Sequence, residues 1–387
     1  MWRFLALASL LPVSMGSDPL HNRAMGSDPV HNSAEIRDRD IAFYQARVAA
    51  DPAGALDRLR LGVLFLERAR ATGREADLIQ AESLARASLA LREAHNSGAW
   101  HLLSAALLGQ HRFVEALAAA DHLEQSDPAA GARALRGEIL LELGRYPEAD
   151  SVFGGLGLHR YHPAITPRYA RWLELRDRSG EARRLLESGR RQAVARGVEE
   201  EVLWYAMRLG DLHLRHGRYR TARRLLDEGL RLRPDDWRLL ATRARLALRE
   251  GNGRLAIAFG DSSLARHFDP ATLALVADGW MLEDRPDLAG PYLRALEAAG
   301  GSAPRGGFHR AWYLALLDHD RLVPAVLSQV AQDLTVRQDA QGWDLLAWAL
   351  FKNGRPAEAH AAMMLALAPG TGDPEIARHA RIIQEAR

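Results

Sequence analysis

Arginine side chains are concentrated in the middle of this chain. Residues 160–254 contain 23 Arg against 13 Asp and Glu, whereas the whole chain is nearly balanced, with 51 basic and 49 acidic residues. A guanidinium group presents a planar fork of N–H donors that can bind both oxygens of a carboxylate at once. The local excess of arginine therefore predicts a surface that binds carboxylates, such as an acidic peptide or a C-terminal carboxylate.

A solvated helix surface is the alternative interpretation of the same arginines. Many of them stand three or four residues from an acidic residue, as Arg184 does from Glu181 and Arg224 from Glu228. That spacing places the two charges side by side on one helix, where they pair in contact with solvent. The sequence leaves both interpretations open.

Catalytic and metal-binding patterns are weak in this sequence. His213 and His216 share a helical face, but no acidic general base lies between them and no third ligand can be named, so we expect a packed histidine at 213. The absence of cysteine excludes disulfides, thiolate metal sites and cysteine nucleophiles. No nucleophile elbow, phosphate loop or dinucleotide fingerprint is present. We expect no catalytic site, no cofactor and no metal.

The N-terminus has the features of a targeting segment. Arg3 precedes the apolar run 4–13, which is too short to span a bilayer but long enough for the core of a signal peptide. The small residues Ser14 and Gly16 follow it. We predict a signal peptide over residues 1–16, export to the periplasm or the cell exterior of a bacterium, and no integral membrane segment in the mature chain. An apolar start to a cytoplasmic helix is the alternative.

A short duplication follows the targeting segment. The decapeptides at 15–24 and 25–34, MGSDPLHNRA and MGSDPVHNSA, are rich in Gly, Ser, Asp, Pro and Asn, which disfavour helices and packed strands. We therefore predict a flexible linker over residues 17–40.

From about residue 41 onward the sequence repeats itself with a period near 34 residues. The composition, rich in Ala, Leu, Arg and Glu and poor in β-branched and aromatic residues, favours helices. The clearest copy contains Trp100, Leu103, Leu107, Ala116, Ala120, Leu123 and Pro128, and other strong copies begin at Arg136, Leu209 and Trp343. About nine helical hairpins fit the chain. Glycine marks the predicted turn within several of them, at Gly144, Gly217, Gly251 and Gly354.

These spacings resemble those of the tetratricopeptide repeat (TPR) superfamily over residues 41–385. The resemblance implies an all-α, right-handed solenoid of about nine TPR-like hairpins, forming one domain over 41–387. The run GGSAPRGG at 300–307 is the predicted hinge. The family's role implies a non-catalytic scaffold that holds a protein or peptide in the concave groove lined by the first helix of each hairpin, helix A.

Groove positions can be assigned from the family's pattern, in which the second, fifth, sixth, ninth, twelfth and thirteenth residues of helix A face the groove or its rim. On the central repeats the candidate partner-binding residues are Arg168, Arg171, Trp204, Arg208, Asp211, Arg238 and Arg245, with Glu174, Arg215 and Arg249 at further groove positions. The predicted ligand is a protein or peptide of acidic character.

A nucleic-acid ligand is not expected. Trp204, Tyr205 and Tyr219 fall on or near packing positions of the repeat, and no glycine-flanked aromatic strand motif is present. Two other functions remain open at this point: a cytoplasmic assembly or co-chaperone adaptor with the same fold, and an unrecognised enzyme or metal-binding protein.

Overall fold

The computed structural model describes residues 33–301 and 310–386. Within these ranges the chain forms twenty α-helices and no strand, which confirms the predicted all-α class. The predicted signal peptide, both decapeptides up to residue 32, and residues 302–307 of the predicted hinge lie outside the described residues.

The first ten helices are α1 (Ser33–Ala50), α2 (Ala55–Thr72), α3 (Glu75–Leu91), α4 (Ser97–Gly109), α5 (Phe113–Ser126), α6 (Ala130–Glu142), α7 (Tyr146–Gly154), α8 (Thr166–Leu175), α9 (Ser179–Arg196) and α10 (Glu199–Arg215). The second ten are α11 (Tyr219–Leu232), α12 (Trp237–Arg249), α13 (Gly253–Leu264), α14 (Pro270–Leu282), α15 (Pro286–Gly301), α16 (Arg310–Asp318), α17 (Val323–Asp333), α18 (Ala340–Lys352), α19 (Pro356–Leu367) and α20 (Pro374–Glu385). A short 3-10 helix, Gly157–Tyr161, precedes α8.

Helices α2 to α19 form nine consecutive pairs along the chain, the number that the repeat spacing predicts. In each pair the even-numbered helix is helix A and the odd-numbered one is helix B. The chain divides into two compact units, residues 33–139 and 140–386, with the boundary inside α6. At the N-terminal end α1 begins at Ser33, so residues 33–40 of the predicted linker are helical.

The turns between helix A and helix B follow the glycine pattern. The four glycines predicted to lie in turns all have a positive φ, between 70° and 76°, namely Gly144, Gly217, Gly251 and Gly354. Residues with a Cβ enter this left-handed conformation only at a cost. Proline acts at the other end of helix B: α5 ends just before Asp127 and Pro128, and α11 ends just before Arg233 and Pro234.

Small residues bring the two helices of a hairpin together. The alanine assigned to the twentieth position is at most 1% exposed in eight hairpins, at Ala81, Ala116, Ala149, Ala182, Ala222, Ala256, Ala289 and Ala359. The predicted register is wrong in the α16–α17 hairpin, where Ala325 is exposed and Val326 is buried. The turn there contains two left-handed residues, Asp320 and Leu322, in place of one glycine, and the additional residue shifts helix B by one position.

Neighbouring A helices pack on one another within each unit. In the unit 140–386, α10 contacts α12, α12 contacts α14, α14 contacts α16 and α16 contacts α18; in the unit 33–139, α2 contacts α4. The last helix, α20, packs on both α18 and α19. It thus takes the place beside α18 that the next helix A would occupy.

The unit 140–386 returns on itself, which the repeat pattern does not predict. The Ala340 amide donates a hydrogen bond of 2.7 Å to the Tyr146 hydroxyl, 194 residues earlier in the chain. The Arg337 guanidinium lies 3.1 Å from the Glu142 carboxylate and 2.7 Å from that of Asp339. The first hairpin residues of this unit therefore contact the segment that precedes α18.

Candidate partner-binding face

Six charged side chains on three successive A helices form a connected group, which we call the arginine face. It consists of Arg171 and Glu174 on α8, Arg208, Asp211 and Arg215 on α10, and Arg245 on α12. Residues 208, 211 and 215 are spaced three and four apart, so they share one side of α10. All six positions were assigned to the groove from the sequence.

Glu174 connects α8 to α10. One of its oxygens is bound by Arg208, and the other lies 2.6 Å from Arg215 Nη2. The Glu174 and Arg208 side chains are only 4% and 3% exposed. Burial alone would raise the pKa of Glu174, but the attraction of Arg208 and Arg215 outweighs it and lowers the pKa to about 2. Glu174 is therefore a permanent anion at neutral pH.

Asp211 connects α10 to α12. Its carboxylate lies 3.1 Å from Arg215 Nε, 3.6 Å from Arg208 Nη1 and 3.2 Å from Arg245 Nη1. Burial lowers the pKa of Arg245, against the attraction of Asp211 and of the more distant Glu375. An arginine keeps its charge even so, because its ordinary pKa lies far above physiological pH. One carboxylate thus holds three guanidinium groups.

Carboxylates from the C-terminal segment complete this network. Asp373 Oδ2 lies 3.8 Å from Arg215 Nη1, and Glu375 Oε2 lies 2.8 Å from Arg310 Nη1 on α16. Arg310 also binds Asp344 of α18 at 2.6 Å. Although burial opposes ionisation of Glu375, the positive charge of Arg310 lowers its pKa to about 2. The arginine face is therefore met by Asp373, which lies more than 150 positions after Arg215, while Glu375 pairs with Arg310 outside the face.

Three of the predicted site residues lie elsewhere. Arg168 is 1% exposed and donates to the Ala164 carbonyl of the preceding loop. Arg238 binds Asp236, the residue that caps the start of its own helix α12. Trp204 is buried and packs edge-on against Tyr205, with ring centroids 4.9 Å apart. Arg238 also lies 3.7 Å from Glu200 of the neighbouring helix α10. The part of these three side chains in partner binding stays a prediction.

The repeat pattern does not indicate Asp373, which contacts the arginine face, or the charged residues that continue the network beyond it. These are Arg310, Asp344, Glu375 and His379. The repeat pattern stops at the last hairpin, so it assigns no role to α20. The available signal was the acid-proline-acid run that opens this helix, a typical helix start.

His213 is a packed residue, as the sequence predicts. It is 6% exposed, and its Nδ1 accepts a hydrogen bond of 2.8 Å from Arg218 Nε. Burial, reinforced by the nearby positive charge of Arg218, lowers the pKa of His213 to about 4. Across residues 33–301 and 310–386, no group of three or more His, Asp or Glu side chains is placed to hold a metal ion.

None of the described helices combines the length and apolarity needed to cross a membrane.

The repeated geometry decides the fold. Nine successive helix pairs share a left-handed turn, eight of them have a buried alanine where the helices meet, and neighbouring A helices pack on one another within each unit. These are the structural marks of one repeat family. The chain has the TPR fold.

Comparison with known proteins finds this TPR fold in several solved structures. A thermophilic TPR protein from Thermus thermophilus, TTC0263, is 20% identical, covering 47% of this chain and 99% of its own, with a TM-score of 0.37. Yeast Tom70 is 12% identical, covering 91% and 92%, with a TM-score of 0.37. PilW, a type IV pilus biogenesis factor, is 15% identical, covering 63% and 95%, with a TM-score of 0.35.

No family model matches the chain, and no curated protein is similar to it. The TPR hairpins are therefore recognised through their own geometry.

Proposed function

We propose that this TPR protein is a non-catalytic scaffold that binds an acidic segment of a partner protein at the arginine face. The observation that supports this most directly is the binding of Asp373 and Glu375 by Arg215 and Arg310. The acidic start of α20 therefore already binds Arg215 of the face and Arg310 of α16. Carboxylate and guanidinium are matched in geometry as well as in charge.

The charge of the arginine face supports the same ligand. Helices α8, α10 and α12 contribute four guanidinium groups to it but only two carboxylates, Glu174 and Asp211. Other segments of the chain already supply carboxylates to these arginines: Asp373 lies 3.8 Å from Arg215, and Glu142 attracts Arg171. A carboxylate ligand suits the same guanidinium groups, whereas a basic ligand would be repelled by them.

The proposal is tested by site-specific photo-cross-linking. Arg249 is exposed at the end of α12, one turn beyond Arg245, whereas Arg254 is exposed at the start of the outer helix α13. Two variants of the full chain are expressed in its own cells. One carries a photo-reactive residue in place of Arg249, and the other carries it in place of Arg254. We expect cross-links from position 249 to an acidic segment of one protein, lost when Arg245→Gln is added, and none of these from position 254. Equal cross-linking from both positions would contradict the proposal.

We also propose that the protein is exported through the segment 1–16. The intact mass of the protein purified from its own cells tests this, because cleavage near residue 16 removes the apolar run. An uncleaved chain in the cytoplasmic fraction would instead support the cytoplasmic adaptor. No observation on the described residues favours an enzyme or a metal-binding protein, and we propose neither.

A further inference from the structure

We infer that the C-terminal segment, residues 369–385, is a built-in ligand of the arginine face, and that an acidic helix start of a partner binds by displacing it. This inference rests on the proposed function and adds the class of ligand and the form of competition. It concerns only the unit 140–386.

The segment contacts several hairpins of this unit. The Pro369 carbonyl accepts a hydrogen bond of 2.8 Å from Arg176 Nη1 at the end of α8. Gly372 packs against Asp177 so closely that a Cβ on the glycine would overlap the Asp177 carboxylate. Beyond it, Asp373 faces Arg215 and Glu375 binds Arg310. A segment that only joined α19 to a capping helix would not need to contact α8, α10 and α16, as this one does.

The two ends of α20 are held by different forces. Its start is held by the ion pairs of Asp373 and Glu375. Its body is held by burial of Ile376 and Ile383 and by His379, whose ring stacks on Trp348 at 4.3 Å and binds the Asp344 carboxylate at 2.8 Å. A competitor that offers two carboxylates can replace the first set of contacts without touching the second.

The chemistry of the start of α20 defines the competitor. Asp373 caps the helix by accepting a hydrogen bond of 2.9 Å from the Glu375 amide, and Pro374 occupies the first turn. This acid-proline-acid order holds two carboxylates one residue apart on a rigid helix start. The matching ligand is an acidic segment that begins a helix in the same way.

The position of α20 makes such displacement feasible. Within the described residues α20 packs mainly on α18 and α19, whereas α14 packs on α12, α13, α15 and α16. Terminal elements open at lower free energy than the core of a repeat array. An incoming acidic helix start would re-form the ion pairs that Asp373 and Glu375 give up.

The test uses the full chain and a fluorescent peptide with the chain's own sequence 371–386. Three proteins are compared: the parent, Asp373→Asn with Glu375→Gln, and a matched control, Asp287→Asn with Glu358→Gln, which neutralises two exposed carboxylates. We expect the first variant to bind the peptide at least tenfold more tightly than the parent, because its own α20 no longer competes. The control should bind like the parent.

A peptide with the same two amide substitutions should lose binding to all three proteins. Equal binding of the acidic and amide peptides would overturn the ion-pair basis, and a folded first variant that binds no better than the parent would overturn displacement.

Hydrogen exchange on the parent protein covers the case in which the variant fails to fold. A saturating concentration of the acidic peptide should lower amide protection in α20 and leave it unchanged in α12. Protection of α20 that is unaffected by bound peptide would overturn the inference. Peptide binding and hydrogen exchange both use the purified chain without a cellular partner. The scaffold proposal can therefore fail in the cross-linking experiment while the displacement of the C-terminal segment is still supported.

Discussion

The buried ion pairs of the arginine face give single residues unusual importance. Removing two charges from water costs about as much as their attraction returns, so such pairs add little net stability, but breaking one leaves the other charge uncompensated. Because the pKa of Glu174 falls from 4.5 to about 2 on folding, its pairs contribute fully above the unfolded value. That contribution is lost as the pH falls from about 5 towards 2.

Replacing Glu174 with Gln should therefore loosen α8 and α10. The substitution leaves Arg208 buried with only the more distant Asp211, and we expect a loss of about 3 kcal/mol in the local opening free energy. Hydrogen exchange of the α8 and α10 amides measures it. Glu181→Gln, which removes an exposed partner of Arg178, is the control and should cause no measurable change. Similar effects of the two substitutions would argue against a structural role for Glu174.

His213 should make the protein sensitive to mild acid. Its pKa is lower in the folded chain, about 4, than the ordinary 6.5, so the unfolded chain binds a proton first as the pH falls. The free energy of unfolding therefore decreases as the pH falls from 6.5 to 4. Above pH 6.5 this residue has no effect on it. His213→Phe, which keeps a buried aromatic ring but has no titratable group, should reduce the fall in denaturation midpoint between pH 7 and 5. An unchanged pH profile would show that other groups cause it.

At the scale of helices, the sequence predicts contacts within a repeat well and contacts between distant repeats poorly. Gly144 and Pro128 indicate where helices end because φ and hydrogen-bonding restrictions act on the residue itself. The groove positions of Arg208 and Arg215 follow from helical spacing. The pairing of Arg215 with Asp373 depends on how many repeats bring the C-terminal segment back, which no local pattern encodes. The interpretation as a solvated surface is wrong for Arg208, because this side chain is buried and pairs with Glu174 of the neighbouring helix.

Close packing within one hairpin can be tested at Gly210. A Cβ there would lie 2.7 Å from Leu226 Cδ2, whereas a Cβ on the exposed helical Gly180 would meet nothing within 4 Å. We expect Gly210→Ala to destabilise the α10–α11 hairpin by about 1–3 kcal/mol through overpacking. Gly180→Ala should stabilise α9 by about 0.5–1 kcal/mol, because alanine is the better helix former. Denaturation midpoints of the two variants should move in opposite directions, and movement in the same direction would contradict close packing at Gly210.

At the scale of the whole molecule, the two compact units differ in how they bury charge. In residues 33–139 the ion pairs stay between neighbouring hairpins, as when Glu82 binds Arg112 at 2.6 Å. In residues 140–386 they also join segments at opposite ends of the unit, as Glu142 and Arg337 do. A repeat array whose hairpins touch only their neighbours melts piecewise. The additional contacts in 140–386 favour cooperative unfolding of that unit.

Substitutions at two glycines can distinguish the stabilising effect of the contact between residues 142–146 and 337–340 from the strain of a left-handed turn. Gly144 and Gly354 have nearly the same left-handed φ, 76° and 70°, but a Cβ on Gly144 would overlap the Gln338 carbonyl, while one on Gly354 would meet nothing within 4 Å. Alanine at either position costs about 1 kcal/mol in backbone strain. We expect Gly144→Ala to cost more than Gly354→Ala and to speed hydrogen exchange at Ala340, whose amide binds Tyr146. If the two variants lose equal stability and Ala340 keeps its protection, the contact between 142–146 and 337–340 does not stabilise this unit in solution. A larger loss of unfolding free energy in Gly144→Ala would show that the unit unfolds cooperatively. A substitution in a turn at the start of the unit would then change hydrogen exchange nearly 200 residues later in the chain.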